Sequence, residues 1–360
     1  MKVVSFGISR ISDGGPCYVI AEIGHNHQGN LKVAMDMIKA AAECGVDAVK
    51  FQKRDNRSLY TESMYNRPYD NENSFGLTYG EHREFLEFGW DEYVILKKLA
   101  DERGVEFMCT AFDFNSVDFL EELGITSYKV ASGDVTNIPL LEYIAKTDKP
   151  IFLSTGAANL HEIHIAYDKI QEYHDKVCLL HATCAYPTDY EDLNLRAITT
   201  LKEEFPDAII GYSGHDNGIL AAVVAYMLGA TVVEKHFTLN HSWKGTDHKF
   251  SLEREGMRKQ VRDLRRVDMC MGDGEKAARD FEVGAKQKMG KALYTVKDLP
   301  AGHILSEQDI AIKSPADGLP PYLIGEVTGK KLKVPLAEEA IITLEDLAPA
   351  EVYEKQTAQR

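Results

Sequence analysis

The chain has 360 residues, of which 44% are hydrophobic and 9% aromatic, and it carries 41 Lys+Arg against 56 Asp+Glu for a formal net charge of −15. A chain of this size buries a large core and has room for one big domain and a smaller one. The charge excludes a general binder of nucleic acid or of anionic membrane, because no basic field is present to hold phosphate groups.

Four segments share one local form: a helix-like stretch ends in Gly, a short apolar run follows, and a polar residue closes it. They are CGVDAVKFQ from Cys44, RGVEFMCT from Arg103, LGITSYKVASGD from Leu123 and LGATVVEKHFT from Leu228. Gly is the expected stop at a helix C-terminus, and the runs suit strands buried on both faces. Lys50, Lys129 and Glu234 each lie five residues after their Gly. Four more runs complete the series: YVIAEIG (18–24), PIFLSTG (150–156), VCLLHATCAYP (177–187) and AIIGYSGH (208–215). Eight strands alternating with helices, the first predicted over 30–43 with Asn30 as its N-cap, read as a (β/α)8 TIM barrel over residues 1–270. A doubly wound open sheet is the alternative, since strand count alone does not close a barrel. The apolar stretch 219–233 is too short to cross a membrane and ends in Glu234 and Lys235, so it reads as a buried helix followed by a strand.

A polar connector is expected over 271–284, then a small β-rich domain over 285–350 with turn signals in LPAGHIL, SPADGLPP and VTGKKLKV, then a tail, 351–360. Residues 1–284 hold 31 basic and 45 acidic residues, so nearly all of the negative charge belongs to the barrel segment. The six cysteines show no C-x-x-C spacing, and the first residues lack the basic and apolar regions of a signal peptide. Reduced thiols in a cytoplasmic protein are expected.

In a TIM barrel the C-terminal strand ends face the active site. Residues two apart share a face, which pairs Lys50 with Gln52, Ser213 with His215, and Glu234 with His236. If the last two strands are neighbours, about 5 Å apart, His215 and His236 converge on one cation of the Mn, Mg, Fe or Zn type. Lys50 and Lys129 read as point charges for a phosphate or carboxylate, helped by the hydroxyls of Thr110, Ser132 and Ser154. A Schiff-base nucleophile and a lysine paired with a barrel carboxylate are the competing readings. Glu22, in AEIGHNHQG, is a candidate base, water-orienting group or ion-pair partner. His25 and His27 in the same loop read as hydrogen-bonding groups. The long polar insertion 55–89 reads as a lid or binding loop for a polyhydroxylated substrate.

At these residues the chain resembles the sialic acid synthase family, also called N-acylneuraminate or nonulosonate synthases. The resemblance rests on AEIGHNHQG, VKFQK, YKVASGD, LSTG, CAYPT, IGYSGH, EKHFT and WKGTDH in order, plus a C-terminal part similar to the family's SAF (antifreeze-like) domain. It implies metal-dependent condensation of phosphoenolpyruvate with an N-acylated hexosamine such as N-acetylmannosamine, giving a nine-carbon 2-keto acid and phosphate. It also implies a divalent cation, Mn or Mg, and a domain-swapped homodimer whose SAF domain covers the partner's site.

By matching motif, His215 and His236 are the implied metal ligands, and Lys50, Thr110, Lys129, Ser132, Ser154 and Ser213 the implied phosphoenolpyruvate contacts. Glu22 is the implied catalytic carboxylate, and Gln52, Tyr186 and Asp247 bind sugar or order the site. The chain departs from the family pattern at Cys184, where many bacterial members have Asn, and at Asp134, where the family has Glu. A third departure is Ser314, in place of a sugar-binding SAF arginine, with Lys313 beside it as the substitute contact. NRPY, TYGEH and WKGTDH look more like animal-type enzymes, which makes a 6-phosphorylated acceptor, N-acetylmannosamine 6-phosphate or mannose 6-phosphate, the alternative substrate. A 2,4-diacetamido hexose, as in legionaminate or pseudaminate synthesis, is a further one. A Schiff-base aldolase and a non-catalytic sugar-binding barrel are the competing classes.

Overall fold

Runs of Val, Ile, Leu and Phe become the staves of a barrel here because a parallel strand covered by helices has no wet side. The computed structural model describes residues 2–349, so the expected tail 351–360 lies outside the described residues. The chain divides into two units, one ending at Gly272 and the other beginning at Asp273.

An antiparallel hairpin comes first, β1 (Val3–Phe6) and β2 (Ser9–Ser12). Eight parallel strands follow: β3 (Tyr18–Glu22), β4 (Ala48–Lys53), β5 (Glu106–Ala111), β6 (Tyr128–Val130), β7 (Ile151–Ser154), β8 (Val177–Ala182), β9 (Ile209–Gly214) and β10 (Val232–His236). They hydrogen-bond in sequence order, and β10 returns to β3 to close the ring. Closure decides between the two architectures left open by the sequence, and each expected run supplies one stave.

The period of two along the staves sorts their residues. Val19, Val49, Phe107, Leu153 and Val233 face outward into the layer of helices. Ile20, Ala48, Met108, Phe152 and Val232 face inward and fill the lower barrel with Tyr18, Cys178, Leu180 and Ile209. Two residues further along, the inward position is polar: Glu22, Lys50, Thr110, Ser154 and Glu234. The packed floor therefore lies one layer beneath a charged mouth. Asn30 caps the first helix, Leu31–Glu43, by accepting from the Val33 amide, and that helix buries Ala34, Met37, Ile38 and Ala41. Residues 219–233 split into the helix Leu220–Met227 and the start of β10.

The hairpin is a feature the sequence reading missed. Val4, Phe6 and Ile11 join the inner apolar cluster, with the Phe6 ring 5.4 Å from Phe152 and 5.9 Å from Tyr18. It plugs the end of the barrel opposite the polar layer. Gly7, at φ 47°, makes the turn, and a Cβ there would fall 2.3 Å from Glu106 Oε2. Only glycine lets the Ile8 amide donate to that carboxylate at 3.0 Å.

The expected connector 271–284 is partly helical. The helix Arg254–Met271 ends at Gly272, and after a 3₁₀ turn at Asp280–Glu282 the helix Val283–Met289 crosses the expected boundary. The second unit pairs β11 (Ala292–Thr295) with β12 (Ile310–Lys313) in antiparallel register around Leu293, Leu299, Leu305, Val327, Leu332 and Ile342. Its remaining ladder is isolated bridges such as Leu299↔Leu336 and Leu332↔Leu347, which fits short runs broken by turns. Among the described residues no helix is long and apolar enough to cross a membrane.

Candidate active site

The register of the ring builds the site. Glu22 lies opposite Lys50 and His236, Gln52 opposite Thr110, Thr110 opposite Lys129, and Ser213 opposite Glu234. One cavity of about 710 Å³ at the C-terminal ends of the strands is lined by Glu22, Lys50, Gln52, Thr110, Lys129, Ser132, Ser154, Tyr186, Ser213, His215, His236 and Asp247. Twelve of the fourteen expected site residues therefore converge.

The two lysines differ in their partners. Lys50 Nζ lies 2.7 Å from Glu22 Oε2 and 3.7 Å from Glu234 Oε1, and donates to Thr110 Oγ1 at 2.8 Å. Burial opposes its charge, but the two carboxylates hold its ammonium above the ordinary lysine range. Lys50 is thus paired, the competing reading offered for it above. Lys129 Nζ donates only to the Val130 carbonyl, at 3.2 Å. Burial pulls it down to about 8, with Glu234 restoring part of the loss. Lys129 is the cation with capacity left for an anion. Nearby, the buried Ser154 Oγ has no hydrogen-bond partner, and Ser132 Oγ accepts from the Gly156 amide at 3.0 Å.

The carboxylates also differ. Burial raises the Glu22 carboxyl, Lys50 opposes the rise, and the Glu234 charge adds to it. Glu22 Oε1 further accepts from Gln52 Nε2 at 2.6 Å. Burial would raise Glu234 as well, but Lys129, Lys50 and His236 together hold it well below the usual carboxylate range. Ser213 donates to it at 3.0 Å. The two buried carboxyls are thus pushed in opposite directions by their neighbours.

The histidine rings stand 5.6 Å apart, and burial lowers both to about 4, so both are neutral imidazoles. His215 Nδ1 lies 2.7 Å from the Thr183 carbonyl, a contact that assigns the proton to Nδ1 and leaves Nε2 as a lone pair. The buried His236 Nδ1 has no hydrogen-bond partner, and Asp247 Oδ2 lies 3.8 Å from it. Among the described residues no cluster of three or more His, Cys, Asp or Glu is gathered for a metal.

Two expected residues stand elsewhere. Chain β6 stops at Val130 and turns into a 3₁₀ helix at Ser132–Asp134, which leaves Ser132 facing the cavity. That turn rotates Asp134 onto Asn137 Nδ2, 3.1 Å away. Lys313 belongs to β12 of the second unit, where it pairs with Glu339. Four charged lining residues were missed: Glu234, Arg54, Arg83 and Lys249. Glu234 carries the same post-Gly signal as the lysines, and Arg54 continues the alternation Lys50, Gln52; Arg83 sits in the insertion, where no such signal exists. The insertion forms short helices at Asn56–Leu59, Glu62–Tyr65 and Tyr79–Leu86 and sends Asn73 and Arg83 to the cavity, as a binding loop should. Asn73 Oδ1 accepts from the Gly245 amide at 3.1 Å, tying it to the loop after β10.

A closed (β/α)8 barrel with buried lysines, unequal carboxylates and two neutral imidazoles at its C-terminal mouth defines an enzyme of the barrel class that acts on a small anion. The chain belongs to the NeuB family, whose model matches residues 37–276, and the SAF domain model matches 290–348. It is 40% identical to N-acetylneuraminate-9-phosphate synthase of Homo sapiens over 328 residues, 91% of each chain. It is 36% identical to N,N'-diacetyllegionaminic acid synthase of Legionella pneumophila, covering 92% of this chain and 94% of that one. The crystal structure of N-acetylneuraminic acid synthetase from Leptospira borgpetersenii matches with a TM-score of 0.68 at 31% identity, covering 79% of this chain and 96% of that one.

Proposed function

We propose that the protein condenses phosphoenolpyruvate with an N-acylated hexosamine of the N-acetylmannosamine type, giving a nine-carbon sialic-acid-like 2-keto acid and phosphate. The observation that carries this reading is the division of labour between the lysines. Lys50 is held by Glu22 and Glu234, while Lys129 stands beside the unpartnered Ser154 hydroxyl with charge to spare. The names of relatives 36–40% identical over nine-tenths of the chain support the same chemistry.

Carbon 3 of the donor bonds to the acceptor's aldehyde carbon, and the aldehyde oxygen takes up a proton to become a hydroxyl. Water adds at carbon 2 and gives up a proton, the C2–O bond to phosphate breaks, and phosphate leaves. Lys129 with Ser132 and Ser154 holds the donor's anionic groups. Glu22, with its raised carboxyl 2.7 Å from Lys50, handles the proton at the aldehyde or at the attacking water. Gln52 orients Glu22.

The residues present fit a divalent cation, Mn or Mg, held by His215 Nε2 and His236, since both rings are neutral and the buried His236 Nδ1 lacks a partner. Imidazole donors favour Mn of the two. When bound, such an ion polarises the aldehyde as a Lewis acid. A buried lysine lowered to about 8, as Lys129 is, would also suit a Schiff base, and trapping separates the two readings. A domain-swapped homodimer in the cytoplasm belongs to the same reading, and light scattering that gives a monomer counts against it. The test is phosphate release from phosphoenolpyruvate over a panel of hexosamines, with borohydride trapping alongside. A trapped pyruvate adduct without phosphate release defeats the proposal in favour of an aldolase.

A further inference from the structure

Behind the two histidines, outside the cavity, lies a buried charged network that the condensation does not use. The ladder between β9 and β10 pairs Ser213 with Glu234 and Gly214 with Lys235, and it ends there, one residue short of both His215 and His236. Ser213, His215, Glu234 and His236 line the cavity. Lys235 points the other way, towards the helices, because successive residues of a strand alternate faces. Its Nζ donates to the Asp216 carbonyl at 2.5 Å and to Asp216 Oδ1 at 2.9 Å, and the Tyr212 hydroxyl donates to the same Oδ1 at 2.6 Å. Both side chains of the ion pair are fully buried.

Stability alone gives little reason for such a pair. A buried lysine and aspartate roughly recover what their desolvation costs, and apolar residues of similar volume would serve the core as well. Asp216 Oδ2 is buried without a hydrogen-bond partner, so the carboxylate is not even fully satisfied. What the network supplies is geometry. Where the ladder ends, the Lys235 side chain reaches across to the backbone of the residue after His215 and takes the place of the next rung. Gly214 permits the approach: a Cβ there would fall 2.5 Å from the Tyr212 ring and 2.8 Å from Asp216 Oδ1. On the other flank the Thr188 amide donates to the His215 carbonyl at 3.1 Å. His236 is held in turn by the Leu252 amide, which donates to its carbonyl at 2.7 Å. The 5.6 Å between the two imidazoles therefore depends on a rung made from a side chain.

We propose that Lys235, Asp216 and Tyr212 are positioning residues: they stand in for the missing rung between β9 and β10, fix the spacing of His215 and His236, and so set the affinity of that pair for a divalent cation. The proposal rests on the synthase reading above and on its metal site. Groups that orient metal ligands without touching the ion are worth about 10- to 100-fold in metal affinity. An ion pair suits this task better than an apolar contact of the same volume, because its hydrogen bonds are directional and admit one arrangement of the two strand ends. The network also lies on the far side of the strands from Lys129 and Ser154, so it bears on the two histidines and not on the donor's anion clamp.

The experiment compares the full-length wild type with Tyr212→Phe and with the double variant Asp216→Asn, Lys235→Met, which removes both charges at once so that neither is left buried alone. Mn binding is followed by electron paramagnetic resonance without substrate, and phosphoenolpyruvate binding by calorimetry without metal. The double variant should bind Mn roughly 10- to 100-fold more weakly and change the spectrum of the bound ion. Tyr212→Phe, which deletes one hydrogen bond, should weaken Mn roughly 3- to 10-fold. Both should keep phosphoenolpyruvate affinity within about threefold of the wild type. Mn affinity within about threefold of the wild type in the double variant overturns the proposal. An equal loss of Mn and phosphoenolpyruvate at the wild-type melting temperature, the mark of a merely structural role, overturns it too. If the double variant does not fold, Tyr212→Phe decides, and an unchanged Mn affinity and spectrum there overturns the proposal. A wild type that binds Mn but no phosphoenolpyruvate defeats the synthase reading and leaves the Mn comparison standing. A wild type that binds no Mn defeats the metal reading instead, and the network is then read by hydrogen exchange at residues 214–217: exchange about tenfold faster in the double variant, at an unchanged melting temperature, supports the positioning role, and wild-type exchange overturns it.

Discussion

Raising the pH should weaken phosphoenolpyruvate capture and strengthen the unliganded fold, both through Lys129. Its ammonium is buried, without a carboxylate partner, and titrates at about 8 instead of 10.5. On that value about nine-tenths of the protein carries the charge at pH 7 and about one-tenth at pH 9. The phosphate monoester of the donor is already doubly ionised over this range. Hence kcat/KM for phosphoenolpyruvate, which reports the free enzyme, should fall about tenfold between pH 7 and pH 9. The profile of kcat should hold to higher pH, because the bound anion stabilises the ammonium. Stability moves the other way. A lysine with a depressed folded value imposes its full cost below about pH 8 and sheds it as the pH approaches 10.5, where the unfolded chain also loses its proton. The gap corresponds to about 3 kcal/mol, an upper figure because the loss of the ammonium also leaves Glu234 with one cation fewer. Phosphate-release kinetics and urea titration of the unliganded protein over pH 6.5 to 9.5 read both limbs. A flat kcat/KM profile to pH 9.5, or a stability that falls smoothly from pH 8 upward, refutes the assignment of Lys129 as an uncompensated anion clamp.

Other substitutions separate the remaining roles. Glu22→Gln should lower kcat by roughly 10²- to 10⁴-fold, the usual worth of a positioned acid or base, with donor affinity nearly unchanged; wild-type kcat would remove Glu22 from the proton chemistry. His215→Ala and His236→Ala should each abolish metal-dependent turnover and Mn binding measured by electron paramagnetic resonance, with the circular dichroism spectrum intact. Full activity in either variant argues decisively against the metal assignment. Phe6→Ala empties the plug between Phe152 and Tyr18 and should cost about 3–5 kcal/mol in urea unfolding; a loss under 1 kcal/mol would mean that the hairpin is peripheral to the barrel core.

The barrel was legible because its signals are local. A Gly stop, an apolar run and a polar end recur without reference to distant residues, and they mark the staves that carry Lys50, Lys129 and Glu234. The hairpin escaped because strands of four residues have no measurable period, and what stabilises them is the floor of a barrel made by strands far along the chain. Within the site, motif matching named twelve side chains that line one cavity, but not their pairings. That Lys50 is shared by Glu22 and Glu234 depends on β10 returning to β3 beside β4, a closure no local pattern encodes. Asp134 shows the converse error: its motif matched in sequence, but a strand that stops four residues earlier turns the carboxylate away.

The same local arrangement explains how a chain of formal charge −15 can receive small anions. Lys50, Arg54, Arg83, Lys129 and Lys249 line the cavity against Glu22, Glu234 and Asp247, and the cavity histidines are neutral. The excess is small, but it lies where water is scarce, so it acts far more strongly than the same charges on the helices outside. Lys249 is discounted by its exposed pair with Glu72, and Lys50 by its two carboxylates. Without a carboxylate at ion-pairing distance among the described residues are Lys129 within the barrel mouth and the Arg54–Arg83 pair. Carboxylates at the centre of an anion site are therefore not a contradiction: Glu22 and Glu234 confine the charge of Lys50, so that a bound anion is drawn to Lys129 and its flanking hydroxyls instead of settling on the side chain that must stay beside Glu22. A uniformly basic pocket would bind the donor more tightly in many poses, whereas in the proposed reaction this one would favour a single inner position for the anion and leave the raised Glu22 carboxyl for proton transfer.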